Sequence, residues 1–129
     1  MRILLVDDDE AVRDSIAVVL LAAGYLVDQA ANGVDGMRML RQYGPDLVIT
    51  DILMPQKEGI EIIREIRAQA AETPIIAISG GGGDQADYLK MAQAFGANAA
   101  LAKPFDPAAL LALVERLASD HGARVAGAC

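Results

Sequence analysis

The chain is short of several things, and each shortage narrows what it can be. Cys129, the last residue, is its one cysteine, so no internal disulfide can form and a reducing cytoplasm is the expected home. Basic residues are few: 11 Lys and Arg stand against 18 Asp and Glu, for a net charge of −7. No basic stripe is available, which argues against nonspecific contact with DNA or an anionic membrane. Long apolar runs are missing too, because Arg, Asp, Glu or Gly interrupts each one before it reaches the length of a membrane span. The N-terminus passes straight into strand-like sequence, without the basic, apolar and small-residue pattern of a secretory signal. The one histidine, His121, has no other ligand residues beside it and reads as an ordinary surface side chain. No repeat, linker or second domain is visible, and nothing resembles a helix-turn-helix.

What is present is 53% hydrophobic and 22% charged residues, the balance of one globular domain. Short apolar runs rich in β-branched residues, RILLVD (2–7), LVITD (47–51) and IIAIS (75–79), suit strands buried on both faces. Weaker runs, YLVDQAA (25–31) and AALAK (99–103), fit edge strands. Helices are expected between them. The first runs from Glu10 to Ala23 and stops at Gly24; the second starts from an Asn32 N-cap and ends at Gly44-Pro45. A third spans Gly59 to Ala70, where Arg64, Glu65 and Arg67 read as a solvated face. A fourth covers Asp84 to Phe95, and a fifth runs from an Asp106 N-cap, with Pro107 first in the helix, to near Gly122. Five strand–helix alternations argue an α/β fold, a parallel sheet with helices on both faces. The domain is expected over 1–121, with 122–129 a short disordered tail.

Four acids in a row, Asp7, Asp8, Asp9 and Glu10, close the first strand. Like charges repel most where water is scarce. In a parallel sheet Asp7, Asp8, Asp51, Ser79 and Lys103 all fall at strand ends on one edge, where open α/β folds bind ligands. Three carboxylates gathered there need a cation, and Lys103 offsets only one of them. Oxygen ligands alone favour a hard divalent ion, most naturally Mg2+. Helix capping accounts for one or two of the acids, but not for Asp51 or Lys103. A metal, a hydroxyl and a lysine together suit the oxygens of a phosphoryl group, and a carboxylate can be the nucleophile that forms an acyl phosphate. Asp51 is the candidate, alone at the end of a central strand and several residues ahead of the third helix.

The stretches LLVDDDEAVR, DLVITDILMP, IIAISG and LAKPF, in this order, resemble the response-regulator receiver domain of two-component signalling over roughly residues 2–120. The resemblance implies a flavodoxin-like, doubly wound (βα)5 fold with strand order 2-1-3-4-5. It implies that Asp51 accepts a phosphoryl group from a histidine kinase or a histidine phosphotransfer protein. Asp8 would bind Mg2+ directly, Asp7 mainly through water, and the backbone carbonyl of Leu53 would complete the set. Ser79 and Lys103 would hold phosphoryl oxygens, and the Lys103–Pro104 peptide is expected to be cis. Output would run through the surface of the fourth helix, fifth strand and fifth helix to a downstream protein, as a population shift that can include homodimerisation. The short tail favours a stand-alone receiver over a piece of a longer regulator.

Three positions depart from common family patterns. Ala100 stands where many receivers carry an aromatic residue, so coupling has to run through backbone or helix movement, or be weak. Gly80–Gly83 follow Ser79 and predict a mobile loop; no Gly-Lys-Ser/Thr follows them, which excludes a nucleotide-binding loop. Leu53 and Gly81 offer no polar group to orient a water, which predicts slow dephosphorylation. Two alternatives compete with the receiver reading. One is an interaction domain that works without phosphorylation; the intact set Asp7, Asp8, Asp51, Ser79 and Lys103 argues against it, while Ala100 and the glycine run keep it open. The other is a phosphatase with an aspartyl-phosphate intermediate; the haloacid-dehalogenase type would need Asp-x-Asp and a cap region, and neither is here.

Overall fold

The computed structural model describes residues 1–52, 59–79, 90, 92–94, 96–103 and 105–128, with 59, 60 and 120–128 described by backbone alone. Strands β1 (Arg2–Val6), β2 (Leu26–Ala30), β3 (Leu47–Asp51), β4 (Ile75–Ser79) and β5 (Ala99–Ala102) form one sheet. All neighbours are parallel, in the order β2-β1-β3-β4-β5. Helices α1 (Glu10–Ala22), α2 (Gly33–Tyr43) and α3 (Gly59–Gln69) connect the strands, and a C-terminal helix covers Pro107–Ala128. Residues 90 and 92–94 are also helical, inside the interval of the fourth expected helix; the rest of that interval lies outside the described residues.

The two-residue period of a strand sorts the core into two layers. Ile3, Leu5, Leu47, Ile49, Ile76 and Ile78 point to one face, where they meet Ile16, Ala17 and Leu20 of α1 and Leu110, Val114 and Leu117 of the C-terminal helix. Leu4, Val6, Val48, Ile75 and Ala77 point to the other and meet Met37 and Leu40 of α2, Ile62, Ile63 and Ile66 of α3, and Ala92. β3 and β4 are buried at every residue, which is why they read as unbroken apolar runs. The two weaker runs, β2 and β5, are the edge strands. Ala100 of β5 pairs with Ala77 and packs, partly buried, on the α2/α3 face.

Local signals set the helix ends. The Asn32 side chain accepts a hydrogen bond from the Asp35 N–H at 2.8 Å and so caps α2. Gly44 closes α2 with φ +57, a left-handed turn that glycine takes without a Cβ clash, its N–H bonded to the Leu40 carbonyl. Asp106 accepts from the Ala108 N–H at 2.9 Å, ahead of Pro107.

Two expectations need correction. The last helix does not stop near Gly122 but continues to Ala128. One glycine costs a helix only about 1 kcal/mol relative to Ala, and the residues around it are rich in alanine. Arg67 is not part of a solvated face. It is half-buried and donates to the carbonyls of Gly96 (2.9 Å), Ala70 (3.3 Å), Ala71 (3.2 Å) and Thr73 (2.5 Å) and to the Asn98 side chain (2.6 Å). Among the described residues no helix is long and apolar enough to cross a membrane.

Candidate functional site

The sheet register carries the polar residues to a common edge. Val6 pairs with Thr50, Asp51 with Ile78, and Ser79 with Ala102. Asp7, Asp51, Ser79 and Lys103 therefore follow one another across β1, β3, β4 and β5 at their C-terminal ends. The chain crosses over between β1 and β3: from β1 it moves outward to β2, then returns to the other side of β1. Asp7 and Asp51 flank that switch point, the usual ligand position of open α/β sheets.

Oxygens of Asp7, Asp8 and Asp51 all lie within 4.8 Å of one another. Asp7 is fully buried, Asp51 is 4% exposed, and Asp8 faces solvent. The Lys103 ammonium donates to Asp7 Oδ2 at 2.9 Å and to Asp51 Oδ2 at 3.1 Å. Burial lowers the Lys103 pKa, but the hydrogen bond to Asp7 and the charge of Asp51 outweigh it and hold the ammonium above its ordinary value. Among the described residues, one ammonium against three carboxylates leaves an excess of two negative charges, the balance that a divalent cation restores. Ser79 is fully buried, and its carbonyl accepts from the Lys103 N–H at 2.6 Å, tying β4 to the lysine's own residue.

The acidic run divides its labour. Asp9 accepts from the Ala11 and Val12 N–H groups at 3.0 and 3.2 Å and is the N-cap of α1. Asp7 and Asp8 are left to the cluster, so capping and clustering both hold, for different members. Leu53, expected to lend a carbonyl, lies outside the described residues, as do Gly80–Gly83, Pro104, Cys129 and the His121 side chain. The structure adds Arg13, which the sequence reading quoted without a role. Its Nη1 donates to the Asp7 carbonyl at 2.7 Å and its Nε to Gln29 Oε1 at 3.1 Å. The available signal was an arginine one helical turn beyond the acids. Beside Lys103, a cavity of about 500 Å³ opens between α1 and the C-terminal helix, lined largely by Ala11, Val12, Ile16, Phe105 and Leu110.

Known proteins resemble this chain in sequence and in fold. Response regulator MprA of Mycobacterium sp. (strain KMS) is 35% identical over 126 residues, covering 95% of this chain and 54% of that protein. The chain thus spans about half the length of the curated relatives it matches. A CheY-like receiver domain protein from Methanospirillum hungatei superposes with a TM-score of 0.88 at 28% identity, over 95% of this chain and 97% of that one. NtrX from Brucella abortus superposes at 0.92 and 27% identity, over 98% of this chain and 29% of that one. The family model of the response regulator receiver domain matches residues 3–115, and with that match over most of its length, the chain belongs to the receiver-domain family of two-component response regulators.

Proposed function

We propose that Asp51 is the phosphoacceptor of this receiver and that Asp7, Asp8 and Asp51 hold a Mg2+ ion for the transfer. The observation that carries the reading is the charge balance among the described residues of the sheet edge: three carboxylates within 4.8 Å, with one ammonium between two of them. When bound, Mg2+ neutralises charge on the acceptor and on the phosphoryl oxygens. The donor is the phosphorylated imidazole of a histidine kinase or a histidine phosphotransfer protein. An Asp51 carboxylate oxygen forms the new O–P bond as the P–N bond to the imidazole breaks, and that electron pair stays on the departing nitrogen. Lys103, already beside Asp51, pairs with one phosphoryl oxygen, and the Ser79 hydroxyl donates to another. The cavity beside Lys103 gives a donor protein an apolar footing next to these groups. The chain then turns over nothing but its own phosphoryl group, works in the cytoplasm, and signals to a downstream protein.

Acetyl phosphate tests this without a kinase. Intact-mass measurement should show one added phosphoryl group on the wild type, dependent on Mg2+ and absent from Asp51→Asn. A phosphoryl group on Asp51→Asn, or one that forms equally well in EDTA, would refute the assignment.

A further inference from the structure

We infer that Arg13 is a positioning residue for the acidic turn, fixing the peptide between Asp7 and Asp8 so that their carboxylates are presented to the metal. The inference rests on the Mg2+ reading above and adds to it a residue that is neither a ligand nor a phosphoryl contact. The polar atoms of Asp7 are all held. Its N–H bonds to the Ala30 carbonyl at 3.1 Å, its Oδ1 accepts from the Asp9 N–H at 2.9 Å, and its Oδ2 accepts from Lys103. Its carbonyl accepts from Arg13.

Asp8 has no comparable anchor of its own; its carboxylate is exposed. What is fixed is the peptide on either side of it. The Asp7 carbonyl belongs to the peptide before Asp8, and Arg13 Nη1 holds it at 2.7 Å. The Asp9 N–H belongs to the peptide after Asp8, and Asp7 Oδ1 holds it. Two soft backbone dihedrals per residue decide where a side chain points, and here both flanking planes are pinned. Arg13 is itself pinned: its Nε bonds to Gln29 of β2, and its N–H bonds to the Asp9 carbonyl at 2.9 Å. One planar guanidinium thus spans from α1 to β2 across the turn, a fork that a lysine cannot reproduce. Groups that orient metal ligands from behind typically carry a tenfold or larger share of the affinity.

A rival account uses charge alone. Arg13 brings a positive charge close to a cation site, and that would weaken Mg2+ binding. The two accounts predict opposite signs. Mg2+ titrations followed by amide chemical shifts, on the wild type, Arg13→Lys, Arg13→Ala and Gln29→Ala, separate them. Positioning predicts that Arg13→Lys, with its charge kept, weakens Mg2+ binding on the order of tenfold. Arg13→Ala should weaken it as much despite the lost repulsion, and Gln29→Ala less. Thermal midpoints in EDTA should stay within a few degrees of the wild type, which a purely structural role would not allow. Arg13→Lys binding like the wild type, or Arg13→Ala binding more tightly, would overturn the inference while leaving the Mg2+ reading intact. A wild type that binds no Mg2+ at millimolar concentration would overturn both. If Arg13→Ala does not fold, Arg13→Lys and Gln29→Ala decide the question.

Discussion

At the N-terminal edge of the sheet, Arg2 meets Asp28 at 2.6 Å and lies 4.4 Å from the centre of the Tyr43 ring. Asp46 accepts from the Arg2 N–H at 2.8 Å. Arg67 gathers four carbonyls and the Asn98 amide oxygen around one guanidinium, and Asn98 in turn accepts from the Ile75 N–H at 2.9 Å. At the C-terminal edge, three carboxylates cluster and, among the described residues, one ammonium bonds two of them. The first edge matches charge and acceptors to donors in place and serves stability. Among the described residues the second gathers more carboxylates than cations, which costs stability and creates affinity for what balances it. The same sheet thus has a closed end and an open end, and polar residues alone do not tell them apart. The count of opposite charges does.

That contrast can be broken at either end. The largest effect should follow Lys103→Met in EDTA. It removes the ammonium that bonds both Asp51 and the fully buried Asp7, and such losses cost about 3 kcal/mol or more in urea unfolding. Mg2+ should then raise its thermal midpoint by more than it raises that of the wild type. Next comes Arg67→Ala, which strands several backbone acceptors at once and should cost about 2 kcal/mol, with no change in the Mg2+ response. Gly96, with φ +123, is the matching control: a Cβ there would lie 2.9 Å from Arg67 Cγ, so Gly96→Ala should lower the midpoint by pushing Arg67 aside and by straining a left-handed backbone. The smallest effect belongs to Asp28→Asn. Its partner is partly exposed, and a pair of that kind contributes little.

Much of this was legible in the chain itself. β3 and β4 coincide with the apolar runs LVITD and IIAIS, and Asn32, Gly44 and Asp106 sit at the helix ends their chemistry predicts. Five residues scattered from Asp7 to Lys103 converge because strand ends in a parallel sheet share an edge. The strand order itself came from the resemblance, since alternation does not say on which side of β1 the chain returns. Arg67 and Arg13 were missed for one reason: most of their partners are backbone carbonyls, and those set by tertiary contact lie far away in the chain. No side-chain pattern announces them. Gly122 misled because a glycine that ends one helix is tolerated inside another. Leu53 and the glycines at 80–83, on which a slow dephosphorylation and a mobile loop were expected, lie outside the described residues.

The most direct test of the open end is a thermal melt of the wild type, Asp8→Asn and Asp28→Asn, each in EDTA and in Mg2+. Removing Asp8 relieves repulsion within the cluster and removes a metal ligand. Asp8→Asn should therefore melt higher than the wild type in EDTA and lose most of the rise that Mg2+ gives. Asp28→Asn, at the closed end, should melt slightly lower and keep that rise. If Asp8→Asn were instead destabilised in EDTA and still rose in Mg2+ as the wild type does, the acidic edge would hold no charge in excess, and the account would fail at its centre.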